Sequence, residues 1–238
     1  MHLAEQGKVA VPSIPQDTLM NFYMLCSTLG EDVAQRKDEF VSEAIGVKSL
    51  EMLRELSVLL NKDCFDWNPI QVYEAMTQTD EFAYCPFAYG YSNYAKPNYA
   101  RKLLKFADTV TLPGTDRLRT TLGGTGLAIS AKSKHKDIAA KYAEFLANPA
   151  AQSTFFVEFG GQPGHREAWL ADGTNATTDD YFKATLPTLD RAFLRPRYFG
   201  HMAFQDNAGA PIRNYLMNGG DAKSLLDQIN TLYIESLG

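Results

Sequence analysis

The chain has 238 residues, of which 45% are hydrophobic and 21% charged, a composition that favours a folded protein over a disordered one. This length can bury one large core or two smaller ones. The formal net charge is -5 and no long basic run occurs. Both observations argue against a nucleic-acid partner, because phosphate binding depends on clustered lysine and arginine.

The first half of the chain alternates between strand and helix patterns. Strands are predicted over residues 8–11, 82–90 and 109–113, and the last of them ends in a Pro113-Gly114 turn. Helices are predicted over residues 18–29, 46–60 and 70–76. Alternation of this kind favours an α/β layered architecture with a largely parallel sheet.

A glycine-rich run, Gly123-Gly124-Thr125-Gly126, opens the next segment and leads into a short apolar strand. The helix that follows carries apolar residues at helical spacing, namely Ile138, Tyr142, Phe145 and Leu146. A second helix ends where Gly160, Gly161 and Pro163 interrupt the pattern. Because glycine permits positive φ and lets a ligand approach the backbone closely, the glycine run is a candidate ligand contact.

Three more helices are predicted toward the end of the chain. Asp179 is the predicted N-cap of the first, which contains Tyr181 and Phe182. The second covers about residues 204–216 and ends at the Gly219-Gly220 pair. The last begins at Asp221, which is its predicted N-cap.

Four segments of the chain together resemble one protein family. They are the aromatic run Tyr89-Gly90-Tyr91-Ser92-Asn93, the glycine run, residues 135–163 with their Gly-Gln-Pro break, and Ala203-Phe204-Gln205-Asp206. In order and composition they resemble the family-1 bacterial extracellular solute-binding proteins, which include the maltodextrin-binding proteins. The resemblance covers nearly the whole chain and is densest from Leu122 onward.

The resemblance implies an α/β fold like that of the type II periplasmic binding proteins. It implies largely one lobe, the C-terminal one, with a partial return segment of the other. Residues 1–122 are then the first part of the C-terminal lobe, residues 123–169 return toward the N-terminal lobe, and residues 170–238 are the closing helices. Members of this family are longer, so most of the N-terminal lobe is expected to be missing. A periplasmic or extracellular, membrane-associated location is implied, although the sequence begins without an apolar signal segment.

The resemblance also implies a ligand cleft lined by aromatic and polar groups. A carbohydrate needs a flat apolar surface and a rim of directional hydrogen-bonding groups, and tyrosine supplies both. The predicted ligand contacts are Tyr84, Tyr89, Tyr91, Gly123, Gly124, Thr125, Phe204 and Gln205. The alternative for the tyrosines is packing beneath the strand with their hydroxyls reaching water.

No catalytic, cofactor or metal motif accompanies these residues. The three cysteines are widely spaced and form no CxxC pair, so they are expected to be buried small apolar residues, although one pair could bridge in an oxidising compartment. His135, His165 and His201 are dispersed and are expected at the surface or as caps. The basic and aromatic group Arg195-Pro196-Arg197, Tyr198 and His201 could grip an anionic ligand, but a plain surface loop is the commoner case.

The sequence therefore predicts the non-catalytic solute-binding component of an ABC import system, with a sugar as the ligand. Its expected partners are that small molecule and a membrane permease, with no nucleic acid and no cofactor. Two alternatives stay open. The lobe could serve as a protein-interaction module that self-associates through the face left by the missing lobe, or the chain could be an enzyme on a related α/β scaffold.

Overall fold

The structure is a computed structural model that describes residues 1–112 and 114–238. Pro113 of the predicted turn therefore lies outside the described residues. The chain divides into two compact units. Unit 1 comprises Met1–Tyr89, Thr109–Leu122 and Thr188–Gly238, and unit 2 comprises Gly90–Asp108 and Gly123–Pro187. Residues 170–187 thus group with residues 123–169, whereas the assignment of segments to lobes of a longer protein stays a prediction. Within the described ranges, no helix is long and apolar enough to cross a membrane.

Unit 1 is built mainly from helices. They are α1 (His2–Glu5), α2 (Pro15–Thr28), α3 (Glu43–Ser57), α4 (Pro69–Gln78), α11 (His201–Asn218) and α12 (Ala222–Ser236). Short 3-10 turns cover Lys62–Asp66 here and Ser92–Ala95 in unit 2. All the helices predicted for these segments are present, with ends that differ by a few residues.

Local chemistry accounts for several helix ends in unit 1. Helix α2 begins three residues before the prediction because Pro15 occupies its first turn, where the missing N–H costs no hydrogen bond. The side chain of Asn68 caps α4 in a reciprocal capping box with Gln71. Asp221 caps α12 by accepting a hydrogen bond of 2.8 Å from the Ser224 N–H, which confirms the prediction. Helix α11 ends at Gly219, whose φ of 79° suits glycine.

The core of unit 1 lies among α2, α3, α11 and α12. Aromatic rings fill its centre: the ring of Phe40 lies 4.6 Å from that of Phe204 and 5.3 Å from that of Tyr233, measured between centroids. The aliphatic part comes from fully buried side chains of all four helices, namely Leu19, Leu50, Ile212, Leu226 and Ile229. Burial of this apolar surface holds the four helices together.

Strand pairing among the described residues is limited to three isolated bridges. Two are parallel, Val9 with Tyr84 and Thr121 with Phe193, and one is antiparallel, Thr111 with Arg117. The predicted strands over residues 8–11, 82–90 and 109–113 therefore each contribute one bridging residue. The Thr121–Phe193 bridge is supported by hydrogen bonds from the Phe193 N–H to the Thr120 carbonyl and from the Leu122 N–H to the Phe193 carbonyl. It joins two segments that are distant in sequence.

Unit 2 contains a series of shorter helices. They are α5 (Lys136–Ala147), α6 (Pro149–Ser153), α7 (Phe155–Glu158), α8 (Arg166–Leu170), α9 (Asp172–Ala176) and the start of α10 (Tyr181–Asp190). The second helix predicted after the glycine run is split into α6 and α7 at Thr154. Helix α7 ends at Glu158, two residues before the predicted break at Gly160, which has a φ of 91°.

The core of unit 2 is small and aromatic. Trp169, Tyr181 and Phe182 pack with Ala95 and Val157. The indole N–H of Trp169 donates to the Pro163 carbonyl at 2.6 Å, which fixes the ring and satisfies its polar atom.

The predicted N-cap of α10 is wrong by one residue. Helix α10 begins at Tyr181, so Asp180 occupies the position before it. Asp179 and Asp180 have φ of 47° and 60°, which gives the chain a left-handed turn before the helix. The Asp179 carboxylate forms an exposed ion pair of 2.9 Å with Lys105 instead.

The segment after the glycine run differs most from expectation. No strand is assigned to residues 123–130, and these residues are exposed. Helix α5 buries none of its residues: Ile138 is 70% and Tyr142 60% exposed. Leu127 and Phe145 are also mostly exposed. We call the side chains of Ile138, Tyr142 and Phe145 the α5 apolar face. A period of 3.6 residues predicts which side of a helix is apolar, but here only the Phe145 ring has a ring contact, stacked 5.6 Å from Phe155 between centroids, and the side as a whole stays exposed within the described part of the chain.

Candidate functional site

A cluster of polar and aromatic side chains in unit 1 is the strongest candidate site. Helix α2 supplies Tyr23, the segment after the Thr121–Phe193 bridge supplies Arg195, and the first turns of α11 supply His201 and Gln205. His201 and Gln205 are four residues apart and therefore share one side of α11. We call Tyr23, Arg195, His201 and Gln205 the Arg195 cluster.

Tyr23 brings an unsatisfied hydroxyl into this cluster. The side chain is fully buried, and its ring packs 5.4 Å from Phe40 and 6.5 Å from Phe193. Its Oη atom has no hydrogen-bond partner in the described part of the chain. Burial, with a smaller effect from the Tyr198 phenol, raises the pKa of Tyr23 well above its usual value, so the phenol stays neutral. A buried hydroxyl without a partner destabilises the empty site.

His201 lies beside Tyr23, and its ring nitrogens also lack hydrogen-bond partners among the described residues. Its ring centroid is 6.5 Å from that of Tyr23 and 5.5 Å from that of Tyr198. Neither ring nitrogen has a hydrogen-bond partner among the described residues, although the residue is buried. Burial lowers the pKa of His201 and the Arg195 charge lowers it further, so the imidazole is neutral near pH 7. The prediction that His201 lies at the surface or caps a helix is wrong, since exposure depends on which element packs above it.

Arg195 provides the positive charge of the cluster. Its Nη1 atom lies 3.4 Å from Gln205 Oε1 and 3.9 Å from the sulfur of Met20. No carboxylate forms an ion pair with it within the ranges that the structure describes. The guanidinium therefore has N–H groups available for another acceptor.

Of the predicted ligand contacts, Gln205 belongs to the Arg195 cluster, and Tyr89 lies in the same unit. The Tyr89 hydroxyl is 2.9 Å from Thr121 Oγ1, and the Tyr89 carbonyl accepts a hydrogen bond of 2.9 Å from the Tyr73 hydroxyl. The Tyr89 phenol is also near enough to Tyr23 to contribute to the raised pKa of Tyr23. The half-buried Tyr89 ring is therefore held at a fixed position in unit 1, beside the Arg195 cluster.

The other predicted contacts in unit 1 have structural neighbours. Phe204 is 1% exposed and packs against Phe40 and Tyr233, so its ring faces no solvent. Tyr84 is half-buried and forms the bridge to Val9, and its carbonyl accepts a hydrogen bond of 3.0 Å from the Ala10 N–H. Both residues stabilise unit 1 in this structure, and a ligand contact by either stays a prediction.

The remaining predicted contacts lie in unit 2. Tyr91 is 39% exposed and precedes the 3-10 turn Ser92–Ala95. Gly123, Gly124 and Thr125 are exposed. A Cβ atom at Gly124 would meet no atom within 4 Å, and Gly124 does not have a positive φ. Gly124 therefore does not use the positive φ for which glycine was expected at this position. A ligand contact there stays a prediction.

The described residues contain no group of acidic, histidine or cysteine side chains that could hold a metal ion. Cys26, Cys64 and Cys85 are free thiols, and burial raises the pKa of the Cys26 thiol to about 12. An open groove of about 520 Å³ in unit 1 is lined by residues that include Leu29, Lys48 and Thr115. Its described lining contains no aromatic ring, so it lacks the flat apolar surface that suits a sugar.

Comparison with known proteins identifies the fold. No family model matches the chain, and no curated protein matches it. Among solved structures, maltose-bound MalE3 of Thermotoga maritima aligns with a TM-score of 0.78 at 16% identity, covering 96% of this chain and 62% of that one. The chain has the fold of the type II periplasmic binding proteins. It is largely one lobe of that fold, with part of the other, and it spans about 60% of the length of these neighbours.

Two further neighbours extend the range of ligands. An ABC transporter solute-binding protein from Agrobacterium radiobacter K84 in complex with ribitol has a TM-score of 0.76 at 17% identity, covering 96% of this chain and 58% of that one. UgpB of Mycobacterium tuberculosis in complex with glycerophosphocholine has a TM-score of 0.71 at 16% identity, covering 100% of this chain and 60% of that one. The first of these is described as a solute-binding protein, and all three neighbours were solved with a small molecule bound.

Proposed function

We propose that this chain is the ligand-binding part of an ABC-importer solute-binding protein that captures a carbohydrate or a related polyol. The fold, shared along 96% of the chain with a maltose-bound protein, is the observation that carries the proposal. The proposal includes a periplasmic or extracellular location, delivery of the ligand to a membrane permease, and no chemical step. The unpartnered polar atoms of the Arg195 cluster support it, because a polar ligand would satisfy them.

Ligand-induced stabilisation tests this proposal. Maltose, glucose and ribitol are each titrated against the chain while its thermal unfolding is followed. A ligand at one hundred times its Kd adds about 2.7 kcal/mol to the native state. That stabilisation raises the Tm of a chain of this size by about 5–10 °C. If none of the three raises the Tm, and neither an acidic sugar nor a sugar phosphate raises it, the proposal is wrong.

Replacing Tyr89 tests whether the ligand that raises the Tm binds at this residue. We expect Tyr89→Ala to reduce the ligand-induced shift by at least half, because it removes both a ring and the hydroxyl bonded to Thr121. Tyr142→Ala is the matched control, since the Tyr142 ring is 60% exposed on α5 in unit 2. An equal loss in both variants would contradict a contact at Tyr89.

The α5 apolar face supports a second candidate role, that of an interaction surface. Ile138, Tyr142 and Phe145 are exposed at helical spacing, and a large exposed apolar patch is typical of a protein contact. We propose that the isolated chain self-associates through this face.

We expect Ile138→Lys to weaken that self-association about tenfold or more, because burying a lysine opposes contact between apolar surfaces. Asp137→Asn is the control, since it changes the net charge equally at the neighbouring exposed position. Sedimentation velocity over a concentration series measures the monomer fraction. A chain that stays monomeric at all concentrations, or variants that behave alike, would rule out this face as the contact.

A further inference from the structure

The Arg195 cluster has a definite charge. Arg195 carries a positive charge without a carboxylate partner in the described part of the chain, while His201 and Tyr23 are neutral. The cluster therefore holds about one positive charge, in a protein whose overall net charge is -5. A local charge opposite to that of the whole molecule is typical of a site that receives an oppositely charged group.

The hydrogen-bonding groups of the cluster are mostly donors. The Arg195 guanidinium has N–H groups beyond the one directed at Gln205, the Tyr23 hydroxyl can donate, and a neutral His201 ring donates from one nitrogen. A cation would be repelled by Arg195, and a neutral hydroxyl would leave its charge uncompensated. An oxyanion accepts several hydrogen bonds and also neutralises the charge.

We propose that the Arg195 cluster binds an oxyanionic group, a carboxylate or a phosphate, of the captured ligand. This inference rests on the proposed function and narrows it to acidic sugars or sugar phosphates. The low polarity around Tyr23 and His201 strengthens the attraction, because charges interact more strongly where water is excluded. Two side chains that are at least nine-tenths buried, Tyr23 and His201, have polar atoms without partners, and this is the observation that an oxyanion explains.

The test compares matched neutral and acidic probes. Glucose, glucuronate, glucose 6-phosphate and inorganic phosphate are titrated by calorimetry against the full chain. We expect at least one acidic sugar to bind about tenfold or more tightly than glucose, as a hydrogen bond to a charged group provides. Glucuronate and glucose 6-phosphate distinguish a carboxylate from a phosphate, and inorganic phosphate measures the oxyanion alone.

Single substitutions test whether the Arg195 cluster causes the preference for an acidic sugar. Arg195→Gln is expected to remove the preference for the acidic sugar over glucose, because it removes the charge that attracts the oxyanion. Arg197→Gln is the control, since it removes an exposed arginine two residues away. Tyr23→Phe removes only the unpartnered hydroxyl, so it is expected to fold and to weaken acidic-sugar binding about threefold or more.

Each outcome separates the two proposals. If glucose binds and the acidic probes bind no better, ordered water satisfies the cluster, so the oxyanion inference is wrong while the proposed function stands. An acidic preference that survives both Arg195→Gln and Tyr23→Phe also overturns the inference. If maltose, glucose and ribitol and every acidic probe fail to bind, both proposals are rejected.

Discussion

Replacing Gly209 with alanine is expected to destabilise the protein by about 2–3 kcal/mol, because a buried side chain would be forced into a contact that cannot relax. Gly209 lies in α11, where a Cβ atom would be 2.2 Å from the carbonyl oxygen and 2.6 Å from the carbonyl carbon of Pro15. Both atoms belong to backbone at the first turn of α2, so the two helices would have to separate. The higher helix propensity of alanine, worth about 1 kcal/mol, offsets only part of this cost.

Thermal and chemical unfolding measure the effect of Gly209→Ala. A loss of this size lowers the Tm by about 5–10 °C for a chain of this length. Gly173→Ala in α9 is the control, because a Cβ atom there would meet no atom within 4 Å. That variant is expected to be neutral or slightly more stable. A Gly209→Ala protein with the wild-type Tm would mean that α2 and α11 do not approach this closely.

The second large effect concerns Asp17, a carboxylate in the first turn of α2. Asp17 is 7% exposed and has no hydrogen-bond or ion-pair partner among the described residues. Burial raises its pKa from 3.8 to about 6. Between these values the folded state binds a proton that the unfolded state does not, so stability falls as pH rises from about 4 to about 6. Above pH 6 the full cost of the buried charge is present.

We therefore expect Asp17→Asn to raise the free energy of unfolding at pH 7 by about 1–2 kcal/mol. A shift of roughly two pKa units corresponds to about 3 kcal/mol, and the helix N-terminus, which favours a negative charge, removes part of the gain. The difference between variant and wild type should shrink as the pH falls from 6 to 4 and disappear below the unfolded-state pKa of 3.8, where Asp17 is protonated in both states. Urea unfolding at several pH values measures this dependence.

Asp206→Asn is the matched control for the Asp17 variant, because Asp206 is an exposed carboxylate on α11. It is expected to change stability by less than about 0.5 kcal/mol at any of these pH values. If Asp17→Asn destabilises the protein at pH 7, the ionised carboxylate has a favourable partner and the expectation is wrong.

Local sequence was sufficient where the physical cause is local. Asp221 is an N-cap because its side chain reaches an N–H three residues away, and Gly219 ends α11 because glycine tolerates positive φ. The failure at Asp179 has a different cause: two consecutive residues of positive φ precede α10, and the Lys183 N–H in its first turn donates to the Asn175 side chain, a contact that a local pattern does not reveal.

The candidate site could be predicted only in part. Tyr89 and Gln205 were predicted as ligand contacts, and the group around Arg195 and His201 was recognised but favoured as a surface loop. Nothing in the sequence indicated that Tyr23 is a site residue, because a tyrosine among the apolar residues of a helix is typical of a core position. Its significance comes from a hydroxyl that meets no partner after the helices pack, which no local pattern encodes.

The sequence by itself determined the longer helices, most of their ends and the class of fold, since spacing, caps and glycines act over a few residues, whereas the short helices α1, α8 and α9 were not predicted. Tertiary structure alone decided that His201 and Phe204 are buried, that Arg195 lacks a carboxylate partner and that the apolar side of α5 is exposed. These properties depend on contacts between residues as far apart as Met20 and Arg195. Burial and pairing are properties of what packs against a side chain, so only the folded chain sets them.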